Sequence, residues 1–302
     1  MKTFIRKMLK TLVNPLPFLR TRINSIINKL LQTLVNPEPF RVSIISLMLK
    51  KLKLGSHEFR LLCNAVERPS YSCCVLVAAK LASALGIHRI SVIEFGVAGG
   101  NGLLELENMV EEVERIVPIK IDIFGFDTGK GLPLSDNYKD QLYFWQEGHF
   151  EMNEEALRKR LRLSKLVLGD VSKSVETFIS EYNPAPIGAI MFDLDYYSST
   201  KDAFKLFNYL NSNNSLPRIY TYMDDISSVD LLPANEFTGV RCAINEFNSE
   251  NNNKKIARME HLSRFMRLPK PWNELVYVFH NFEHKDYNTY VKHHHATKMP
   301  LV

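Results

Sequence analysis

RISVIEFGVAGGNGLLELENMVEEVERI, residues 89–116, runs from an apolar stretch through a glycine-bearing turn into an amphipathic stretch. RISVIEFG (89–96) has the length and β-branched content of a buried strand. Gly96, Gly99 and Gly100 permit a tight turn and let a ligand approach the backbone closely. GLLELENMVEEVERI then keeps helical spacing, and the start of such a helix can hold an anionic group such as a carboxylate.

The same alternation continues along the chain. RPSYSCCVLVAAKLASALG reads as a preceding helix closed by Gly86. KIDIFGFD (120–127), KLVLGD (165–170), IGAIMFD (187–193) and RIYTYMDD (218–225) read as further strands. EALRKRLRL, VETFISEY, STKDAFKLFNYLN and EFTGVRCAINEFNSE read as the helices after strands two to five. KKIARMEHL and ELVYVFHNF, joined around PKPW, predict a C-terminal antiparallel strand pair. The expected fold class is therefore α/β, a doubly wound and mostly parallel sheet, with a separate N-terminal helical segment. Ligands bind such sheets beyond the carboxyl ends of the strands.

Acids collect at those ends. Glu94 and Gly96 close the first strand, Asp127 the second and Asp170 the third. Asp193 and Asp195 close the fourth, Asp224 and Asp225 the fifth. Acids are rarely buried without a partner, so their convergence on one rim asks for a ligand.

At this point the chain resembles the class I S-adenosylmethionine-dependent methyltransferases, whose first motif reads E/D-x-G-x-G-x-G; the Rossmann-like fold of that class is implied with it. Ala98 stands where the middle glycine falls, a change the turn accepts if its φ is negative. The resemblance implies that Gly96 and Gly100 line the methionine portion of S-adenosyl-L-methionine and that Glu94 is a further cofactor-binding residue. It implies that Asp127 accepts from the ribose hydroxyls and that Asp170 lies near the adenine amino group. A solvated strand-end acid or a helix cap is the competing reading for Asp127 and Asp170.

FDTGKGLP (126–133), DLDYYSST (193–200), YMDD (222–225) and GVRCAINEF (239–247) are similar, in order and spacing, to segments of macrocin O-methyltransferase-like enzymes. Those segments read FDSFEGLP, DGDxYEST, VDDY and G-R-x-A-x-x-E-F. The likeness spans residues 69–285 and implies methyl transfer to a hydroxyl of a sugar-bearing or polyhydroxylated acceptor, with Mg2+. Asp193, Asp224 and Asp225 are then the metal ligands. Like-charged pairs about 4 Å apart cost about 4 kcal/mol each at an effective dielectric near 20. A divalent cation removes that cost, and an all-oxygen donor set suits Mg2+ better than zinc.

Asp195, two residues after Asp193, is the expected general base for the acceptor hydroxyl. Leu194 and Ser198 depart from the glycine and glutamate of the family segment. Capping of the next helix, with Ser199 and Thr200, is the plainer role for Asp193 and Asp195, but it leaves Asp224 and Asp225 unexplained. Trp145, among Tyr143, Phe144 and Phe150, and Tyr197 are candidates for contact with the acceptor; ordinary loop packing competes for the aromatics.

The 302 residues are 45% hydrophobic and 24% charged, ordinary for a globular protein, and no apolar stretch reaches 18 residues. Four cysteines without CxxC spacing fit a reducing cytoplasm. Residues 1–55 hold eleven Lys and Arg against Glu38 alone, a net +10, which leaves −5 for the remainder. TLVNPLPFLR (11–20) is echoed by TLVNPEPFRV (33–42), each unit ending a helical apolar stripe at Asn-Pro-x-Pro. The expected domains are this basic segment (1–55), a catalytic domain (56–290) and a tail (291–302) containing His293, His294 and His295. The stripes either pack on the domain or a second copy of the chain, or lie on the inner face of a membrane against anionic headgroups.

Nucleic acid is an unexpected partner, because the bases alternate with aliphatic residues rather than stacking aromatics. Two alternatives to the metal-dependent enzyme stand: a metal-independent class I methyltransferase with another acceptor, and a non-catalytic scaffold at a membrane surface.

Overall fold

The computed structural model describes residues 40–291. The repeated TLVNPxPF units, apart from the few residues after Pro39, and the histidine triplet lie outside the described residues. The chain divides into two units between Leu54 and Gly55. In the first, helix α1 spans Phe40–Lys51, with no acid in its first turn and Lys50 and Lys51 in its last. Ile44, Ile45, Leu47 and Met48 of this helix are exposed, as are Leu52 and Leu54 after it.

The second unit is built on a seven-stranded sheet of order β3-β2-β1-β4-β5-β7-β6. Its strands are β1 (Arg89–Phe95), β2 (Lys120–Asp127), β3 (Lys165–Leu168), β4 (Ile187–Phe192), β5 (Ser215–Met223), β6 (Lys254–Arg258) and β7 (Val276–Asn281). Strands β1 to β5 pair in parallel, while β7 runs antiparallel to both β5 and β6. Among the described residues, the helices of this unit are α2 (His57–Leu62), α3 (Pro69–Ala84), α4 (Asn101–Ile116), α5 (Glu154–Arg158), α6 (Val171–Tyr182), α7 (Tyr197–Phe204) and α8 (Gly239–Glu250). This is the doubly wound sheet with an antiparallel C-terminal pair that the sequence predicts.

Near-continuous apolar runs form the central strands because both faces are covered. Side chains alternate across the sheet. Ile90 and Val92 of β1, with Ala189 and Met191 of β4, join the core beneath α3 and α4. Ile93, Phe95, Ile190 and Phe192 join the opposite core with Phe178, Phe204 and Phe247. Phe95 pairs in register with Phe126 and Phe192, and its ring lies 4.7 Å and 5.4 Å from theirs. Each such side chain, fully buried, contributes about 1.5–3 kcal/mol. Ala78, Ala79 and Ala82 of α3 are wholly buried, small enough to bring that helix close to the sheet.

Local outcomes differ from the pattern at two helices. EALRKRLRL forms only the short α5, because the amides of Arg162, Leu163 and Ser164 donate to the buried carboxylate of Glu107 on α4. That anchor turns the chain out of the helix and into β3. STKDAFKLFNYLN ends its α-helix at Phe204 and continues as a 3-10 turn over Lys205–Asn208.

From β1 the chain moves outward to β2 and β3, then returns to place β4 on the other side of β1. The reversal opens a crevice at the carboxyl ends of β1 and β4.

Candidate active site

That crevice is a cavity of about 330 Å³. Its wall includes Glu94, Gly96, Ala98, Asp127, Asp193, Asp195, Asp224 and Asp225, contributed by the ends of β1, β2, β4 and β5. The tips of β1 and β4 are bound together: the Asp193 amide donates to the Phe95 carbonyl at 2.9 Å. Gly96 has φ +85°, and a Cβ there would lie 1.7 Å from the Asp193 carbonyl oxygen. Only glycine allows the two strand ends to meet this closely.

Ala98 corrects an expectation. Its φ is +46°, so the turn imposes a left-handed backbone on a residue with a side chain. Such a conformation costs about 1–2 kcal/mol. It is held by Asp127, whose Oδ2 accepts from the amides of Val97 at 2.8 Å and Ala98 at 2.9 Å. Asp127 Oδ1 accepts from the Gly129 amide at 2.7 Å. The carboxylate thus shapes the glycine turn from across β2 and still faces the cavity.

Glu94 is 1% exposed. Tyr71 of α3 donates to its Oε1 at 2.9 Å, whereas its Oε2 is buried with no partner. Burial, against the pull of Tyr71 and Arg68, pushes the carboxyl up to about 8. A buried carboxyl oxygen without a donor is costly. Its position on the cavity wall suits a cationic group of a bound ligand, as the amino-acid end of S-adenosyl-L-methionine would supply.

The acids of β4 and β5 form a second cluster. Asp193, Asp224 and Asp225 each offer an oxygen, and the three lie within 4.8 Å of one another. Burial, then Asp224 and Asp225, raises the Asp193 carboxyl well above the usual range. Burial, then Asp195 and Asp224, does the same to Asp225. Among the described residues no lysine, arginine or histidine forms an ion pair with any of these acids. Three converging carboxylates without an ion-paired base could hold a hard divalent cation such as Mg2+.

Asp195 follows β4 with φ +58°. Its amide donates to Asp225 Oδ2 at 3.0 Å, which ties the β4 tip to the 3-10 turn after β5. Its side chain lines the cavity, and burial, then Asp193 and Asp224, brings its carboxyl up to about 7. Tyr222 donates to Asp224 and its ring lies 5.2 Å from that of Tyr71, so one aromatic pair spans the two clusters.

Trp145 lines the cavity with Leu132, Pro133, His149 and Phe150. Its ring stands 5.9 Å from Phe150, and its indole Nε1 is buried without a partner. The loop is pinned by Leu132 and His149, whose amide and carbonyl meet at 2.9 Å.

Three candidates lie off the wall. Gly100 caps α4, and its missing side chain faces Leu157 rather than the cavity. Asp170 caps α6, accepting from the Ser172 amide at 2.8 Å and hydroxyl at 2.6 Å, which holds its carboxyl below the usual range; its neighbours Gly169 and Val171 line the cavity instead. Tyr197 is 7% exposed and donates to Glu246 at 2.5 Å, within an ionic cluster that includes Lys139 and Lys201.

Arg68, on the cavity wall, has no sequence signal beyond a lone base before the helix-opening Pro69. Elsewhere, Ser72, His57 and Glu112 connect at 2.7 Å each in the order of a hydrolase triad. Ser72 is wholly buried, so this chain of bonds fastens α2 to α3 and α4 and offers no nucleophile.

No protein-family model and no curated protein matches the chain. Solved structures do. The calicheamicin methyltransferase CalS11 is 19% identical over 90% of this chain and 95% of its own, with a TM-score of 0.46. The O-methyltransferase NovP is 12% identical over 70% of this chain and 80% of its own, with a TM-score of 0.47. The plantazolicin methyltransferase BamL, solved with a triazolic desmethylPZN analog and SAH, is 11% identical over 83% and 94%, with a TM-score of 0.38.

Proposed function

We propose that the chain is an S-adenosyl-L-methionine-dependent O-methyltransferase, with Mg2+ as its metal and a hydroxylated small molecule or glycan as its acceptor. The observation that carries this reading is the pairing, in one cavity, of the unpartnered Glu94 oxygen with three converging aspartates. When bound, S-adenosyl-L-methionine supplies an electrophilic methyl group, and Mg2+ lowers the pKa of an acceptor hydroxyl.

Asp193, Asp224 and Asp225 would hold the metal. Glu94 and the Gly96 turn would hold the methionine portion, and Asp127 would lie towards the ribose. Asp195 would take the proton of the acceptor hydroxyl, with S-adenosylhomocysteine as the released product. Burial, the first cause of its raised carboxyl, moves Asp195 towards the range where a general base works best. Trp145 and the aromatic loop shelter the acceptor from water and offer it a hydrogen-bond donor.

Calorimetric titration of the full chain with S-adenosyl-L-methionine, with Mg2+ and with chelator, tests the cofactor and the metal separately. Methyl transfer from labelled cofactor to a set of sugar nucleotides and glycosides tests the acceptor class. Asp195→Asn abolishes transfer and spares cofactor affinity; unchanged transfer removes Asp195 from the mechanism.

The exposed aliphatic side chains of α1, in a segment of net +10, favour a second role for the front end: adsorption to an anionic lipid surface. Flotation of the full chain with anionic vesicles, but not with neutral ones, is the expected result. Equal flotation with both sinks it. Among the described residues no helix is long and apolar enough to cross a membrane.

A further inference from the structure

We propose that Arg68 anchors the carboxylate of the amino-acid end of the cofactor, acting as the cationic counterpart of Glu94. The proposal rests on the reading of this cavity as an S-adenosyl-L-methionine site. Arg68 precedes Pro69 at the start of α3 and lies on the cavity wall.

Strand alternation explains the placement. Glu94, Asp193 and Tyr222 continue the face of β1, β4 and β5 that packs under α3, the helix that Arg68 opens. The guanidinium stands over the Tyr71 ring, 4.9 Å from its centroid, and the Tyr71 hydroxyl reaches Glu94. Arg68 and Glu94 therefore flank one aromatic ring at one end of the cavity.

Among the described residues, the Arg68 guanidinium forms no hydrogen bond and no ion pair; Tyr71, Glu94 and Asp193 nearby favour its charged form against the cost of burial. Its backbone is left-handed, φ +38° and ψ +65°, directly before a proline, where an extended residue is preferred. A half-buried guanidinium without a hydrogen-bonded anion and a buried carboxyl oxygen without a donor are of opposite sign and line one cavity. An α-amino acid carries carboxylate and ammonium on a single carbon and satisfies both. The planar fork of arginine takes a carboxylate through two parallel bonds, which a lysine cannot reproduce.

The test compares S-adenosylhomocysteine with 5′-methylthioadenosine, which shares the adenosine and sulfur but lacks the amino-acid end. Dissociation constants are measured by calorimetry on the full chain for wild type, Arg68→Met and Arg68→Lys. Arg68→Met weakens S-adenosylhomocysteine by about 30- to 100-fold and leaves 5′-methylthioadenosine within about threefold. Arg68→Lys, which keeps the charge and safeguards the fold, gives an intermediate loss confined to S-adenosylhomocysteine. Equal loss for both ligands, or none for either, overturns the assignment. Wild type binding neither ligand removes the cofactor reading itself, and the anchor with it.

Discussion

Asp193→Asn probes the electrostatic strain at the strand tips. Its three carboxylates approach within 4.8 Å, where each charged pair repels by about 3.5 kcal/mol at an effective dielectric near 20. A fully ionised Asp193 would face two such neighbours, about 7 kcal/mol. Holding a proton on an aspartate at pH 7 costs only about 4 kcal/mol, so the metal-free protein keeps one there. This agrees with the raised Asp193 carboxyl. A carboxyl raised in the folded state stabilises the fold fully below its unfolded pKa of about 3.9. That stabilisation is lost as pH rises towards the folded value, at up to about 1.4 kcal/mol per unit. The amide has no such slope.

In chelator, Asp193→Asn therefore gains on wild type by up to about 2.7 kcal/mol between pH 5 and pH 7, about 5–10 °C in Tm. Millimolar Mg2+ closes or reverses the gap, because it stabilises only the protein with an intact ligand set. Thermal melts at pH 5, 6 and 7, with chelator and with Mg2+, measure this. A gap independent of pH, or a variant less stable than wild type at pH 7 in chelator, refutes the charge-strain account.

Gly96→Ala drives a methyl group to within 1.7 Å of the Asp193 carbonyl at φ +85°, and urea melts should show a loss above about 3 kcal/mol. Glu246 accepts from Lys139 at 2.6 Å, Lys201 at 2.5 Å and Tyr197 at 2.5 Å, which hold its carboxyl near 2. Its contribution is present above the unfolded value of about 4.3 and is lost as pH falls towards 2. Glu246→Gln should cost about 1–2 kcal/mol at pH 7 and less at pH 3, by denaturant melts. Trp145→Phe keeps an aromatic wall but removes the Nε1 donor, and should raise the acceptor KM about three- to tenfold with kcat nearly unchanged.

Strand and helix order was readable because apolar periodicity reports which faces are covered, and a strand such as IGAIMF is buried on both. Most of the rim of acids was readable for the same reason: Asp127, Asp193, Asp195, Asp224 and Asp225 follow the carboxyl ends of parallel strands and line the cavity. Nearest-neighbour pattern stops there. Gly100 and Asp170 sit at the right strand ends, yet Leu157 and Ser172 take up their local positions. Tyr197 faces Glu246, 49 residues further along. Ala98 adopts a positive φ because Asp127, from another strand, secures its amide. Arg68 and Glu94 come to flank Tyr71 only because α3 crosses the sheet at β4 and β5. Periodicity along one chain encodes which side of an element is buried, whereas the partner found there depends on contacts between segments distant in sequence, and those exist only in the packed molecule.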